Sequence, residues 1–263
     1  MGVDCLMQMN VTDRRVDMRK RALLGGLLLV VLLVVGWVGV ADGAAPDEAE
    51  PRLRSYSWMS LEDWNARHER NVARRDAGDI ELLFMGDSIT QGWGNNEVWR
   101  EHYGDKKAAN FGIGGDTKQH VLWRITEGGE LDGLSPKVAV LLIGTNNIGR
   151  EGATAGDIAR GVLKVVSTMR EKMPETKLLV LGVFPRGRGA DDGARETIRQ
   201  INAGVAGADD GEWVRYLDIG DHFVEGDGSI SRRVMPDFLH LSGEGYGIWA
   251  ERMGPLLGEM LGG

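Results

Sequence analysis

The chain has 263 residues, 42% of them apolar and 27% charged, with 39 Gly, 7 Pro and a single Cys. That profile excludes an intrinsically disordered chain, a collagen, a coiled coil and a disulfide scaffold, and the length suits one α/β domain better than two enzymatic ones. The formal net charge of −8 excludes the basic footprint of a nucleic-acid binder, and the acidic excess lies after residue 45.

Residues 1–21 end in a basic cluster, Arg14, Arg15, Arg19, Lys20 and Arg21. Residues 22–41, ALLGGLLLVVLLVVGWVGVA, are twenty positions without a charge. A helix of that length rises about 30 Å, enough to cross the hydrocarbon core of a bilayer. The basic flank places its start in the cytoplasm. We expect a single-pass transmembrane anchor with the rest of the chain extracytoplasmic. The alternative is a cleaved signal peptide and a secreted protein, although signal apolar regions usually run about 7–15 residues. Cys5 precedes the run, whereas a lipoprotein cysteine would follow it. Residues 42–57, with Pro46, Pro51, Asp47, Glu48 and Glu50, read as a polar linker.

The remaining residues, 58–263, are expected to form one domain. Trp58, Leu61, Trp64 and Val72 recur at near-helical spacing among charges, which predicts a helix over 58–77 capped by Ser57 or Ser60. Five short apolar runs follow, at 80–85, 108–113, 138–143, 178–184 and 214–219, each continuous rather than alternating, as strands buried on both faces are. Helical patterns occupy 117–126, 154–172, 193–206 and 242–261. Strands alternating with helices imply right-handed crossovers and a three-layer α/β/α fold with a five-stranded, parallel, doubly wound, flavodoxin-like sheet.

In such a sheet chemistry collects beyond the carboxyl ends of the strands. The first run ends in Gly86-Asp87-Ser88, where a serine in a tight turn at a helix start has an exposed hydroxyl and a free N–H; an Asp or Ser there is equally a helix cap. The second ends in Gly112-Ile113-Gly114-Gly115, a turn whose N–H groups can approach a substrate oxygen. A dinucleotide loop would need Gly at 117, where Thr stands. The third ends in Gly144-Thr145-Asn146-Asn147, where an Asn amide either caps or donates to an oxyanion. Before the last helix stands Asp237-Phe238-Leu239-His240, in which a carboxylate three positions ahead of a histidine can fold back onto the ring. His68 and His120 lie on predicted helices and read as packing or surface residues, and His102 and His222 lie in predicted loops. No short-spaced His/Cys set suggests a metal.

Together these motifs resemble the SGNH, or GDSL-type, hydrolases. GDSITQGWG (86–94), NFGIGGDTKQHVLWR (110–124), VLLIGTNN (140–147), Phe184-Pro185-Arg186-Gly187 and DFLHLSGEGY (237–246) are similar within that family to the catalytic subunits of platelet-activating factor acetylhydrolase IB. The resemblance covers about residues 60–260. The apolar N-terminal segment departs from it, since those subunits are soluble and intracellular, so their substrate and partners do not transfer directly.

The resemblance implies a serine esterase with Ser88 as nucleophile, His240 as general base and Asp237 orienting it, an oxyanion hole of Ser88 N–H, Gly115 N–H and the Asn146 amide, an acyl-enzyme, and no cofactor. Ile89, Thr145 and Leu239 adjoin those residues and are expected to line a small acyl pocket suited to acetyl; ordinary core positions are the alternative. A phospholipid and a carbohydrate ester are both open as substrates. The rival readings are an acyltransferase of the same family and a non-catalytic sugar- or lipid-binding module. No nucleic-acid partner is expected, and the oligomeric state is not legible.

Overall fold

A computed structural model describes residues 47–150 and 153–262, apart from the side chain of Asn95. The basic segment and the apolar run of 22–41 lie outside the described residues. Among the described residues no helix is long and apolar enough to cross a membrane.

Five parallel strands form the sheet: β1 (Leu82–Gly86), β2 (Ala108–Gly112), β3 (Val138–Leu142), β4 (Lys177–Leu181) and β5 (Val214–Leu217), in the order β2-β1-β3-β4-β5. The register runs Leu82 beside Ala108 and Val138, and Gly86 beside Gly112 and Leu142. Chain order reverses on the two sides of β1, so the crevice of a doubly wound sheet opens above the β1 carboxyl end.

The strands are buried on both faces, and the side-chain alternation of a pleat sorts them into two cores. Leu83 and Met85 of β1 face one core, with Val121 of α4 (Lys118–Ile125), Ile158, Val165 and Met169 of α5 (Ala155–Lys172), and Ile201 of α6 (Gly193–Ala206). Leu82 and Phe84 face the other, with Tyr103 of α3 (Glu97–Tyr103) and Trp249, Met253 and Leu257 of α7 (Gly243–Leu261). Phe84, Trp93, Trp99, Tyr103 and Trp249 make an aromatic cluster there, with ring centroids 4.9–6.4 Å apart for the pairs in contact.

The caps follow from sequence. Ser60, Thr117, Thr154 and Ser242 accept from the third N–H of α1 (Leu61–Asp76), α4, α5 and α7. Ser60, rather than Ser57, starts α1, so Trp58 lies ahead of the helix and is 60% exposed. His102 lies in α3 rather than a loop. Asn96 caps that helix through Val98 N–H. Its charged, largely half-exposed sequence gives little periodic signal.

The described part of the segment expected as a linker is packed on the domain. Glu50 N–H donates to Gln119 O at 3.2 Å, Tyr56 and Met59 pair as an antiparallel bridge, and the Arg52 side chain is buried. The composition of 47–57 is polar, but one long-range charge pairing, Arg52 with Asp116, fastens it down.

Candidate active site

Ser88 opens α2 (Ser88–Gln91), a single turn directly after β1. Asp87 caps that turn, its Oδ1 accepting from Ile89 N–H at 2.9 Å, which leaves Ser88 half-buried at the strand tip. Gly86 is required by space: a Cβ there would lie 2.3 Å from Leu142 O and 2.2 Å from Thr90 Oγ1. The Asp87 carboxyl is itself buried and its Oδ2 has no partner among the described residues. Burial, with the nearby charge of Asp116 adding to it, pushes its pKa up to about 7.

His240 is brought over Ser88 by a tight turn ahead of α7. Phe238 takes φ 62°, a left-handed conformation that L-residues rarely adopt, and this turns the chain back on itself. Asp237 Oδ1 then accepts from Leu239 N–H at 3.1 Å and His240 N–H at 2.7 Å. Its Oδ2 lies 2.7 Å from His240 Nδ1, and His240 Nε2 lies 2.9 Å from Ser88 Oγ. A carboxylate only accepts, so Nδ1 carries the proton, the neutral ring's Nε2 is the acceptor, and Ser88 donates to it. Burial alone would raise Asp237, but these hydrogen bonds outweigh it and hold the carboxyl below its ordinary value. The Asp237 side chain is 56% exposed, so its charge is screened by solvent.

The opposite wall comes from the ends of β2 and β3. Gly115 has φ +73° and lies on the cleft. Gly114 N–H donates to Gln91 Oε1 at 2.8 Å. Gly144, at φ 129°, turns the chain into the 3₁₀ turn Thr145–Asn147. The two asparagines then divide the roles that the sequence left open. Asn147 supplements the Thr117 cap of α4, its Oδ1 accepting from Lys118 N–H at 3.1 Å, while Asn146 faces the cleft and gives one amide hydrogen to Asp116 O at 2.9 Å. An amide nitrogen has two hydrogens, so one remains for a substrate oxygen.

The cleft has a volume of about 530 Å³ and is lined by Trp58, Ser88, Gln91, Gly114, Gly115, Asn146, Leu239 and His240. Ser88, Gly115, Asn146 and His240 thus meet in one cavity, with Asp237 behind the ring. Of the three residues expected at the acyl group, only Leu239 is on the lining. Ile89 is buried in the core beside α7, its carbonyl accepting from Tyr246 Oη at 2.7 Å. Thr145 is buried beneath the turn, its carbonyl and hydroxyl accepting from Arg186. Each follows a strand end in sequence, but the turn that presents its neighbour to the cleft sends it inward.

Three features of the site were not read from sequence. Gln91 is one helical turn beyond Ser88, a spacing that could have marked it. Trp58 was absorbed into a helical pattern. The third is a buried polar network under the glycine turn. Asp116 Oδ1 accepts from Trp64 Nε1 at 2.7 Å and Arg52 Nη2 at 3.2 Å, and Oδ2 from Arg124 Nη1 at 2.8 Å. Arg124 in turn pairs with Glu130 at 2.6 Å, and His68 with Glu130 at 2.7 Å. Burial raises the Asp116 carboxyl, but His120, Arg124 and Trp64 outweigh it and hold it below its ordinary value. Among the described residues no group of three or more His, Cys, Asp or Glu is placed to hold a metal ion.

Comparison with known proteins gives the family. The model of the GDSL-like lipase/acylhydrolase family matches residues 84–248. The chain belongs to that family. This GDSL hydrolase is 42% identical over 190 residues to platelet-activating factor acetylhydrolase IB subunit alpha1 of Homo sapiens, covering 72% of this chain and 78% of the relative. It is 38% identical over 223 residues to the alpha2 subunit of Mus musculus, covering 83% and 91%. Its fold matches the crystal structure of a GDSL-like lipase from Bacteroides thetaiotaomicron with a TM-score of 0.62 at 19% identity, covering 74% of this chain and 98% of that one. The GDSL hydrolase is therefore an ester hydrolase with an α/β fold. Its motif carries Ile89 where the family name has leucine.

Proposed function

We propose that the chain is a serine esterase acting on short-chain carboxylic esters, acetyl esters foremost, through Ser88, His240 and Asp237 and a covalent acyl-enzyme. Ser88 Oγ attacks the ester carbonyl as His240 Nε2 takes its proton; the C–O bond to the alcohol then breaks and His240 returns the proton to the leaving oxygen. Water, deprotonated by His240, attacks the acyl-enzyme, and the acid leaves as Ser88 is regenerated. The tetrahedral oxyanion of each step is held by the N–H of Ser88, the N–H of Gly115 and the free hydrogen of Asn146 Nδ2. No step calls for a metal or an organic cofactor.

The observation that carries this reading is the pair of contacts on one imidazole, 2.7 Å to Asp237 and 2.9 Å to Ser88. A short acyl chain is supported by the acetylhydrolase named in the relatives and by Leu239 beside His240 on the cleft wall. Full-length protein is assayed on nitrophenyl esters of increasing acyl length with Ser88→Ala as control. Activity should be greatest on acetate and absent in Ser88→Ala. Equal rates for wild type and variant would remove Ser88 from the mechanism, and a preference for long chains would remove the acetyl assignment.

A carbohydrate O-acetyl ester is a second reading, favoured by the exposed indole of Trp58 on the cleft, which offers an apolar face to a sugar ring. Release of acetate from an acetylated oligosaccharide, compared with transfer to an added acceptor alcohol, separates esterase from acyltransferase. We further propose that the apolar run of 22–41 anchors the enzyme with its catalytic unit outside the cytoplasm. Full-length protein should then stay with membranes through a carbonate wash; a soluble species beginning near residue 42 would overturn the anchor in favour of cleavage.

A further inference from the structure

The segment ahead of α1 reaches the oxyanion wall through one side chain. Arg52 is 3% exposed, and its Nη2 donates to Gly114 O at 2.7 Å and to Asp116 Oδ1 at 3.2 Å. Its guanidinium also lies 4.5 Å from the Tyr56 ring centroid and 5.7 Å from that of Trp64, and Nη1 donates to Met59 Sδ at 3.2 Å. The planar guanidinium is thus held by ring faces and three acceptors, which leaves it one orientation.

What it grips is informative. Gly114 O and Gly115 N–H belong to the same peptide group, and in a planar trans peptide the two point in opposite directions. Fixing the oxygen on the buried side therefore aims the N–H outward, toward the cleft that Gly115 lines. A cation on the carbonyl also polarises the amide and strengthens its N–H as a donor. The turn is closed by Asp116 N–H on Ile113 O at 3.2 Å and held by Gly114 N–H on Gln91 Oε1 at 2.8 Å, and at the flexible glycine pair between them Arg52 is the side chain that grips the carbonyl of the central peptide and fixes its tilt. The second contact works on the other donor. Asp116 O orients the Asn146 amide at 2.9 Å, and Asp116 itself is tied down through its carboxylate by Arg52, Trp64 and Arg124.

We propose that Arg52 is a positioning residue for the oxyanion site, setting the plane of the Gly114–Gly115 peptide so that the Gly115 N–H meets the tetrahedral intermediate. This rests on the assignment of Gly115 and Asn146 as oxyanion donors. Arg52 touches no substrate; it acts through the peptide it holds. Its loss should therefore weaken transition-state binding and leave ground-state binding nearly intact.

The test uses the full-length chain as Arg52→Met, Arg52→Lys and Leu53→Ala, the last removing a neighbouring side chain that is 67% exposed. Each is assayed on nitrophenyl acetate, with kcat expressed per site titrated by a fluorophosphonate, so that misfolded protein does not count. Binding of a phenylboronate, whose tetrahedral serine adduct mimics the oxyanion, is measured alongside. Arg52→Met should lower kcat by roughly 10- to 100-fold, below the roughly 10²–10³ typical of deleting a donor outright. KM should move less than about threefold, and boronate affinity should fall with kcat. Arg52→Lys, which retains a cation without the fork, should recover part of the loss. Leu53→Ala should match wild type.

A per-site kcat and boronate affinity for Arg52→Met within twofold of wild type would overturn the proposal. If Arg52→Met yields no titratable sites, Arg52→Lys decides by the same two readouts. Ser88→Ala is run in parallel: activity surviving in it would defeat the esterase reading itself, whereas an inactive Ser88→Ala beside an unimpaired Arg52→Met would defeat only the role of Arg52.

Discussion

Ser88 and His240 stand 152 positions apart in the chain and 2.9 Å apart at Oγ and Nε2. The distance is set by two turns that need unusual backbone: the cap of Asp87 over one helical turn, and the left-handed Phe238 that folds Asp237 under His240.

The exposure of Asp237 makes it an orienting group more than an electrostatic one. Replacing a buried triad aspartate by asparagine costs about 10⁴ in kcat. At a side chain 56% exposed, solvent already screens the charge, so Asp237→Asn should cost less, roughly 10- to 10³-fold. Steady-state kcat on nitrophenyl acetate checks this, and a loss of 10⁴ or more would show that asparagine imposes the wrong imidazole tautomer here as fully as at a buried site, so that exposure spares nothing.

Asn146→Ala should lower kcat by about 10²–10³ with a small change in KM, since the free amide hydrogen meets only the oxyanion. Asn147→Ala, next in sequence, removes the acceptor of the first N–H of α4 instead and should cost about 1 kcal/mol of stability with kcat kept within a few-fold. Paired kinetics and thermal melts distinguish the two asparagines. An Asn146→Ala enzyme at wild-type turnover would take the residue out of the mechanism.

Asp87 predicts a pH dependence of stability with a definite sign. Its folded pKa stands at about 7, against an ordinary 3.8. The folded state thus keeps a proton that the unfolded chain releases near pH 4, so this contribution is complete below that value and is lost as pH rises through about 7. Asp87→Asn keeps the acceptor for Ile89 N–H and stays neutral. Its stability relative to wild type should rise between pH 5 and 8, by about 2–3 kcal/mol. Urea unfolding at the two pH values measures the difference, and a pH-independent difference would mean that Asp87 is ionised in the fold.

Gly86→Ala should destabilise the fold rather than the chemistry alone. A methyl group there meets the Leu142 carbonyl of the neighbouring strand, which cannot move without opening the β1–β3 ladder. A loss of roughly 1–3 kcal/mol is expected by thermal or urea unfolding, as for other overpacked cores. Gly94→Ala, with open space at its Cβ, is the control and should unfold like wild type.

The strands, the crossovers and the four loops that meet over β1 were legible because continuous apolar runs end in residues unsuited to ordinary turns. Ser88 stands at the end of one such run, Asp237 and His240 stand out by their spacing ahead of the last helix, and the roles expected of all three come from the resemblance to GDSL-type hydrolases. The direction of a side chain within a turn was not legible: Ile89 and Thr145 sit beside cleft residues in sequence and point away from the cleft in space. Nor was the place of Arg52. Nothing local marks a buried arginine in a stretch containing Pro51, Arg54 and Ser55, and its partner Asp116 lies 64 positions on. Burial of a charge is decided by the partner, and a partner that distant leaves no periodicity to read.

The packing of residues 50–59 redefines what a portable catalytic unit is in this chain. A fragment cut at residue 58 would carry Ser88, His240 and every strand of the sheet, and one cut at residue 84, where the family match begins, would lose α1 and the first two residues of β1 as well. Either would strand Asp116 in the interior with one of its two arginines gone. If Arg52 positions the oxyanion site as proposed, such a fragment, fused to another protein, would be scored as a poor catalyst by nature when the cut itself had weakened it. The piece that can be moved whole begins no later than Glu50, whose N–H is the first backbone donor stitched to the domain among the described residues.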